Sequence, residues 1–242
     1  MTRHQSKGLQ HMKQFITPLL ALPFLATAGV AEPLVWGFQA EQLEYRARDG
    51  EDGFAWDFDL FMGKDEGKLV WRSEGELGLS SDDYEGLDNQ LLYQFPISPF
   101  FDGVAGVHAS TPNDEPDRYN AVLGARGLAP QWFEIDAGLY LSDHPYMQVE
   151  VEYEALLTNR LILVPSVEMT MPLKDDAARN QGAGGATVEI GARLSYDLID
   201  RAVAPYVGVT YEKSFGDTGD MLRAAGEETD EFSLVFGTRL MF

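Results

Sequence analysis

Cysteine is absent from the sequence, and basic residues are scarce. Without a thiol, the chain can form neither disulfide bonds nor thiolate metal sites. Only 18 lysine and arginine residues stand against 39 aspartate and glutamate residues, which gives a formal net charge of −21. Such a chain repels nucleic acid and anionic lipid and attracts cations. We therefore expect no nucleic-acid partner.

Long hydrophobic runs are missing after residue 31, although 45% of the residues are hydrophobic. The one apolar run, residues 15–30, follows basic residues that include Lys7 and Lys13 and ends among small residues such as Ala31. A basic start, an apolar run and a small-residue cleavage site are typical of a secretory signal peptide. The sequence thus predicts a signal peptide over residues 1–31 and one exported domain over residues 32–242.

The stretch from Arg118 to Asp143 alternates between apolar and polar residues on either side of Pro130. A period of two residues is typical of a β-strand with one apolar face. The two halves therefore predict a hairpin. In the second half, one side carries Phe133, Ile135, Ala137, Leu139 and Leu141, and the other carries Trp132, Glu134, Asp136, Gly138, Tyr140 and Ser142.

The same pattern recurs along the chain and predicts about twelve strands. Tight connections such as Ala129-Pro130 alternate with longer acidic or glycine-rich ones such as 172–185 and 215–229. Short periplasmic turns and long extracellular loops are characteristic of outer-membrane barrels. We therefore expect an all-β, transmembrane, antiparallel up-and-down β-barrel of the outer-membrane type. The predicted strands are 35–47, 53–63, 68–80, 88–96, 99–110, 118–128, 131–142, 146–157, 160–172, 186–198, 202–214 and 230–242.

Alternation also predicts which side chains face the lumen. Asp102 and His108 share a face opposite Phe101 and Val107, so both should face inward. His108 is then either a metal ligand or a member of a hydrogen-bond network. Met169 and Met171 fall on the apolar face and should face lipid, which argues against a soft-metal clamp at that Met-x-Met pair.

A second histidine, His144, lies three residues before Met147 in a predicted outer loop. An imidazole and a thioether at this spacing can share copper, and a plain loop is the alternative. Carboxylates such as Glu134 and Asp136 fall on polar faces together with arginines. They predict either a salt-bridged plug or an acidic path for cations. Acidic loops at the mouth would favour cation uptake, or bridge lipopolysaccharide through divalent ions.

Several segments resemble the copper resistance protein B family of bacterial outer-membrane proteins. The resemblance runs from about residue 34 to 242 in register. It is carried by residues 35–46 (VWGFQAEQLEYR), 97–102 (ISPFFD), 119–124 (YNAVLG), 128–137 (LAPQWFEIDA), 156–163 (LLTNRLIL), 204–209 (APYVGV) and 215–218 (FGDT).

This resemblance implies an outer-membrane copper resistance protein that binds copper ions or mediates their passage across the membrane. It implies copper as the bound ion, outer-membrane lipid and lipopolysaccharide as surroundings, and periplasmic copper-handling proteins as partners. Members of the family commonly carry a Met- and His-rich segment before the barrel, whereas here Glu32-Pro33-Leu34 leads directly into the first predicted strand. The candidate copper ligands are His108, His144, Met147, Asp102, Glu134 and Asp136.

Two other functions compete with this one. His108, Ser110 and Asn120 resemble in spacing the catalytic residues of outer-membrane phospholipases, in which an oriented imidazole activates a hydroxyl nucleophile. That family's site faces lipid, whereas His108 falls on the polar face, so we expect no enzyme here. The other alternative is a structural barrel or a general cation channel.

Overall fold

The chain forms a single β-sheet. The computed structural model describes residues 33–199 and 201–242, so the predicted signal peptide lies outside the described residues. The strands are β1 (Val35–Arg48), β2 (Gly53–Lys64), β3 (Gly67–Gly78), β4 (Tyr84–Pro96), β5 (Phe101–Ser110), β6 (Arg118–Leu128), β7 (Phe133–Leu141), β8 (Tyr146–Tyr153), β9 (Ala155–Leu156), β10 (Leu161–Pro172), β11 (Ala186–Tyr196), β12 (Val203–Phe215) and β13 (Asp230–Met241).

The sheet closes on itself. Neighbouring strands pair antiparallel along the sequence, and β1 also pairs with β13. The two-residue β9 continues β8 after a break at Glu154, since both segments pair with β10. The result is a closed barrel of 12 strands, which confirms the predicted fold class. Closure leaves no unpaired sheet edge, as a barrel in a membrane requires.

The two faces of the barrel differ as the alternation predicts. Tyr119, Ala121 and Leu123 are exposed on the outer face, whereas Asn120 and Val122 between them are buried on the inner face. On β10, Ser166 and Glu168 belong to the inner set, and Met169 and Met171 to the outer set. An apolar outer face and a polar inner face are the pattern of a barrel that faces lipid.

The interior also contains an apolar cluster on one side of the barrel. The residues come from consecutive strands, so they form a belt across the inner wall. Its buried members are Val70, Leu92, Val104, Val122 and Tyr140, with Phe61 and Tyr146 packed against them.

The connections form two different rims, as predicted. The short-turn rim carries turns such as 97–100 and 157–160, and the long-loop rim carries longer connections such as 111–117 and 173–185. The segment 215–229, expected to be a loop, contains helix α1 (Gly216–Ala225), which ends at Gly226 in the left-handed conformation (φ 84°). The helix packs on loop 173–185, where the Thr218 hydroxyl bonds the backbone of Gly182. No helix in the described ranges is long and apolar enough to cross a membrane.

Trp132 does not occupy the polar face of a strand, contrary to the expectation. Residues Pro130–Trp132 form a short 3-10 turn. Gln131 and Trp132 have positive φ angles of 64° and 68°, which no strand accommodates. Strand β7 therefore starts at Phe133, and the Trp132 side chain is 72% exposed at the short-turn rim.

Candidate cation site in the lumen

The lumen contains a main chamber of about 490 Å³. An ordered water occupies about 30 Å³, so this volume admits a cation with several waters. Its wall is dominated by carboxylates, with two arginines among them. The acidic residues of this wall are Glu41, Asp57, Asp59, Glu74, Asp102, Glu134, Asp136, Glu150, Glu152 and Glu168.

Both arginines of the main chamber are neutralised by two of these carboxylates. Arg72 donates to Asp59 at 3.1 Å and to Asp136 at 2.9 Å. Arg126 donates to Asp59 at 2.9 Å and lies 3.5 Å from Asp136. Because these four side chains neutralise one another, the arginines are not free to balance the other acids of the chamber.

Several of the remaining carboxylates have no basic partner within the described part of the chain; they are Asp57, Glu74, Glu150 and Glu152. Some of them also lie directly opposite other acids across the sheet: Asp57 faces Glu74, and Glu152 faces Glu134. Like charges in direct cross-strand register repel each other. Carboxylates in a confined lumen therefore require cations, protons or water.

The strand register arranges many acids into one continuous row, which we call the carboxylate ladder. Each member lies directly opposite the next on the neighbouring strand, where side chains are about 4.5–5.5 Å apart at Cβ. Arg126 is the single basic member. From the long-loop rim to the short-turn rim, the ladder runs Glu231, Glu212, Glu189, Glu168, Glu150, Asp136, Arg126 and Asp102.

The ladder spans the height of the barrel. Glu231 is the second residue of β13 at the long-loop rim, and Asp102 is the second residue of β5 at the short-turn rim. Barrel strands are tilted by about 35–45°, so a row that follows the hydrogen-bonding direction climbs the wall. A cation that moves along this row meets a new carboxylate at nearly every strand.

A smaller chamber of about 210 Å³, the mouth chamber, lies towards the long-loop rim. His108 is buried in its wall, with Nε2 2.9 Å from Asp88 Oδ1 and Nδ1 3.0 Å from Asn120 Nδ2. The ring packs edge-on against Tyr140, which stacks on Tyr146 with ring centroids 4.3 Å apart. Glu74, Gln90, Tyr140, Gln148 and Glu168 line both chambers, so the two are adjacent.

Loop 173–185 forms part of the mouth chamber. Its Asp176 accepts two hydrogen bonds from Arg118, at 2.7 and 2.8 Å. These bonds hold the pKa of Asp176 below its usual range. Arg179 donates to Ser110 Oγ at 3.0 Å and lies 3.3 Å from Glu115. The loop is thus fixed to strands β5 and β6 by charged contacts.

The structure separates the six predicted ligands into three places. His108 and His144 line the mouth chamber, where His144 Nδ1 is 3.0 Å from the carbonyl oxygen of Asp175. Met147 lies between the lumenal residues Tyr146 and Gln148, so it faces outward and is not brought together with His144. The carboxylates Asp102, Glu134 and Asp136 line the main chamber. In the described ranges, no three His, Asp or Glu side chains are arranged to hold a metal ion.

Sequence reasoning overlooked several residues that line these chambers. Asp57 and Asp59 share a face with the buried Ala55, so the same alternation would have placed them in the lumen. Asp88 is the first residue of the predicted strand 88–96 and shares a face with Gln90, so alternation would have placed it in the lumen as well. The cross-strand register that creates the ladder carries no signal within any single strand.

The fold is that of an outer-membrane β-barrel, as solved structures show. The NanC porin has a TM-score of 0.57 at 11% identity, with 85% of this chain and 99% of that chain covered. The KdgM porin has a TM-score of 0.53 at 12% identity, with 86% and 99% covered. At such identities the likeness concerns the fold alone.

Sequence relatives define the family. Residues 34–242 match the family described as "Copper resistance protein B precursor (CopB)". Copper resistance protein B of Escherichia coli is 35% identical over 204 residues, which are 84% of this chain and 68% of that protein. The copper resistance protein B homolog of Pseudomonas syringae pv. tomato is 34% identical over 207 residues, 85% of this chain and 69% of that one. This chain belongs to the copper resistance protein B family, which confirms the predicted resemblance.

Proposed function

We propose that this protein contributes to copper resistance by binding copper ions in its lumen and passing them across the outer membrane. Residues 1–31 would act as the signal peptide that exports residues 32–242. The long-loop rim would then face outward, and the short-turn rim would face the periplasm and its copper-handling proteins. The family supports the copper role, and the porin-like fold supports the location.

The carboxylate ladder is the observation that carries this proposal. Rings of acidic residues favour cations in membrane pores. Here the acids form a sloping row through the lumen, and three members of that row have no arginine partner among the described residues. These acids are Glu150, Glu168 and Glu212. In this proposal Asp102 and Glu134 bind copper in the main chamber, and His108 binds it in the mouth chamber. Asp136 is paired with Arg72 and Arg126, and His144 Nδ1 lies 3.0 Å from the carbonyl oxygen of Asp175, so neither is assigned as a ligand. Met147, on the outer face, takes no part in the lumenal path.

Copper binding by the purified chain in detergent tests this function. The variant Glu150→Gln/Glu168→Gln/Glu212→Gln removes three ladder carboxylates that form no ion pair with a basic residue in the described ranges. We expect it to weaken copper binding at least about tenfold, which corresponds to about 1.4 kcal/mol. Isothermal titration with copper, repeated with excess zinc, measures the change.

The matched control removes the same number of charges from exposed turns. It is Asp49→Asn/Asp65→Asn/Glu66→Gln, at residues that are exposed at the rims. Equal weakening in both variants would mean that copper affinity depends only on the net charge of the protein. That result would leave a general cation channel or a structural barrel as the function.

The lipase alternative receives no support from the hydrogen bonds of the mouth chamber. Both nitrogens of His108 are engaged, by Asp88 and Asn120, and Ser110 Oγ accepts from Arg179. A serine nucleophile requires a hydrogen bond to its base. Among the hydrogen bonds of the described residues, none joins Ser110 to His108.

A further inference from the structure

His108 is held in an orientation that leaves one nitrogen lone pair facing Asn120. The Nε2 atom lies 2.9 Å from the Asp88 carboxylate, so it carries the proton and donates it. The Nδ1 atom then accepts from Asn120 Nδ2 at 3.0 Å. This tautomer is assigned from the hydrogen-bond network. A carboxylate behind an imidazole is the arrangement that supports histidine ligands of metals.

Asn120 supplies a second, independent observation. The residue is 5% exposed, and its Oδ1 atom is buried without a hydrogen-bond partner among the described residues. A buried oxygen acceptor without a partner destabilises the fold, because it has lost its hydrogen bond to water. The side chain lines the mouth chamber together with Glu74 and Glu168. An unused acceptor in an acidic chamber requires a donor or a cation.

We propose that the mouth chamber binds copper as Cu(II), with His108 Nδ1 and Asn120 Oδ1 as ligands and Asp88 as the residue that orients the imidazole. A half-turn of the Asn120 amide brings the unpartnered Oδ1 to the lone pair of His108, where the ion takes the place of the present hydrogen bond. The Nδ1–Nδ2 distance of 3.0 Å shows that the two side chains are immediate neighbours, so both could bind one ion.

The donors of the lumen favour the divalent ion. The two chambers offer carboxylates, amides and phenols, and the mouth chamber also offers imidazoles; among the described residues, no methionine lines either chamber. Thioether and thiolate ligands select Cu(I), whereas imidazole and oxygen ligands suit Cu(II). Glu168 lines both chambers and belongs to the carboxylate ladder, so the site stands where an ion would pass from the mouth to the ladder. The inference rests on the proposed function and assigns the oxidation state of its cargo.

Electron paramagnetic resonance of the full chain loaded with one equivalent of Cu(II) tests the proposal. The sequence has four histidines, so the background carries His4→Ala and His11→Ala. We expect nitrogen hyperfine coupling from one imidazole in this background. The coupling should be lost in His108→Ala and retained in His144→Ala, the matched control in the same chamber. Coupling that survives His108→Ala would overturn the assignment.

Two isosteric variants test the site if His108→Ala does not fold. Asp88→Asn should weaken Cu(II) binding about 10–100-fold, the usual effect of removing a carboxylate behind a histidine ligand. Asn120→Asp adds a charged oxygen at the ligand position and should tighten binding. Weaker binding by Asn120→Asp would show that Asn120 acts only as a hydrogen-bond donor, which contradicts the proposal.

Titration with Cu(I) under reducing conditions separates this inference from the proposed function. We expect the chain to bind Cu(II) more tightly than Cu(I). Tighter binding of Cu(I), or Cu(II) bound without imidazole coupling, would overturn the inference and leave the proposed function standing. A chain that binds neither ion would contradict the proposed function itself.

Discussion

Glu44 is the residue whose ionic contacts are most deeply buried. Its side chain is fully buried and accepts hydrogen bonds from Arg193 at 2.9 and 3.0 Å and from Tyr206 at 3.0 Å. Arg46 donates a further bond at 2.9 Å. A buried carboxylate is tolerated only when it is paired in this way. The group links β1 to β11 and β12 across the interior.

We predict that Arg193→Met destabilises the barrel by about 3–5 kcal/mol, because it leaves Glu44 buried with fewer partners. Urea unfolding in detergent, followed by tryptophan fluorescence, measures the change. The control is Arg201→Met, whose partner Glu154 is 3.4 Å away and whose own side chain is 54% exposed. Its effect should stay below about 1 kcal/mol. Equal losses of unfolding free energy in both variants would show that burial of the ion pair does not increase the cost of breaking it.

At the scale of elements, loop 173–185 depends on the bonds between Asp176 and Arg118. The pKa of Asp176 is lowered by these bonds, so its ionised form stabilises the folded loop. The stabilisation is complete above the ordinary carboxyl pKa, about 3.9, and is lost as the pH falls through the lower folded value. At neutral pH the loop should therefore stay docked.

We predict that Asp176→Asn releases the loop and speeds trypsin cleavage after Arg179, whose side chain is otherwise held by Ser110 and Pro116. Limited proteolysis at neutral pH measures the rate. Asp143→Asn removes the same charge from a neighbouring loop, where Asp143 contacts Lys174 through its carbonyl oxygen. Cleavage that is equally fast in both variants, or slow in both, would contradict the anchoring role.

The sequence predicts the strands of this fold better than its loops. Alternation places Asn120, Val122 and His108 inside, because successive side chains of a barrel strand point in turn to the lipid and to the lumen. Alternation predicts neither the break at Glu154 nor helix α1. The helix has 10 residues and packs on loop 173–185, so its stability depends on contacts distant in sequence.

The candidate site was only partly predictable. Single-strand patterns bring His108, Glu134 and Asp136 to the lumen, but they do not show which acids become neighbours. Glu168 on β10, for example, lies opposite Glu189 on β11 and Glu150 on β8. Both neighbours are set by the register in which β10 pairs with these two strands. Register depends on turn lengths and on closure of the whole barrel. The ladder therefore emerges only at the scale of the sheet.

At the scale of the whole molecule, two kinds of charge arrangement share one lumen. The wall around Glu44 is paired with arginines, whereas the wall around Glu150 and Glu168 has an excess of acid. The paired wall stabilises the barrel, and the unpaired wall attracts cations. Conduction requires binding that is favourable but shared among several sites, and a ladder of similar carboxylates provides such sites.

Copper uptake into liposomes tests the central claim, that the carboxylate ladder carries copper through the barrel. We predict that liposomes containing the wild-type chain accumulate Cu(II), that Glu150→Gln/Glu168→Gln/Glu212→Gln slows uptake at least about tenfold, and that the exposed-turn control does not. A ladder variant that transports copper as fast as the wild type would contradict the account.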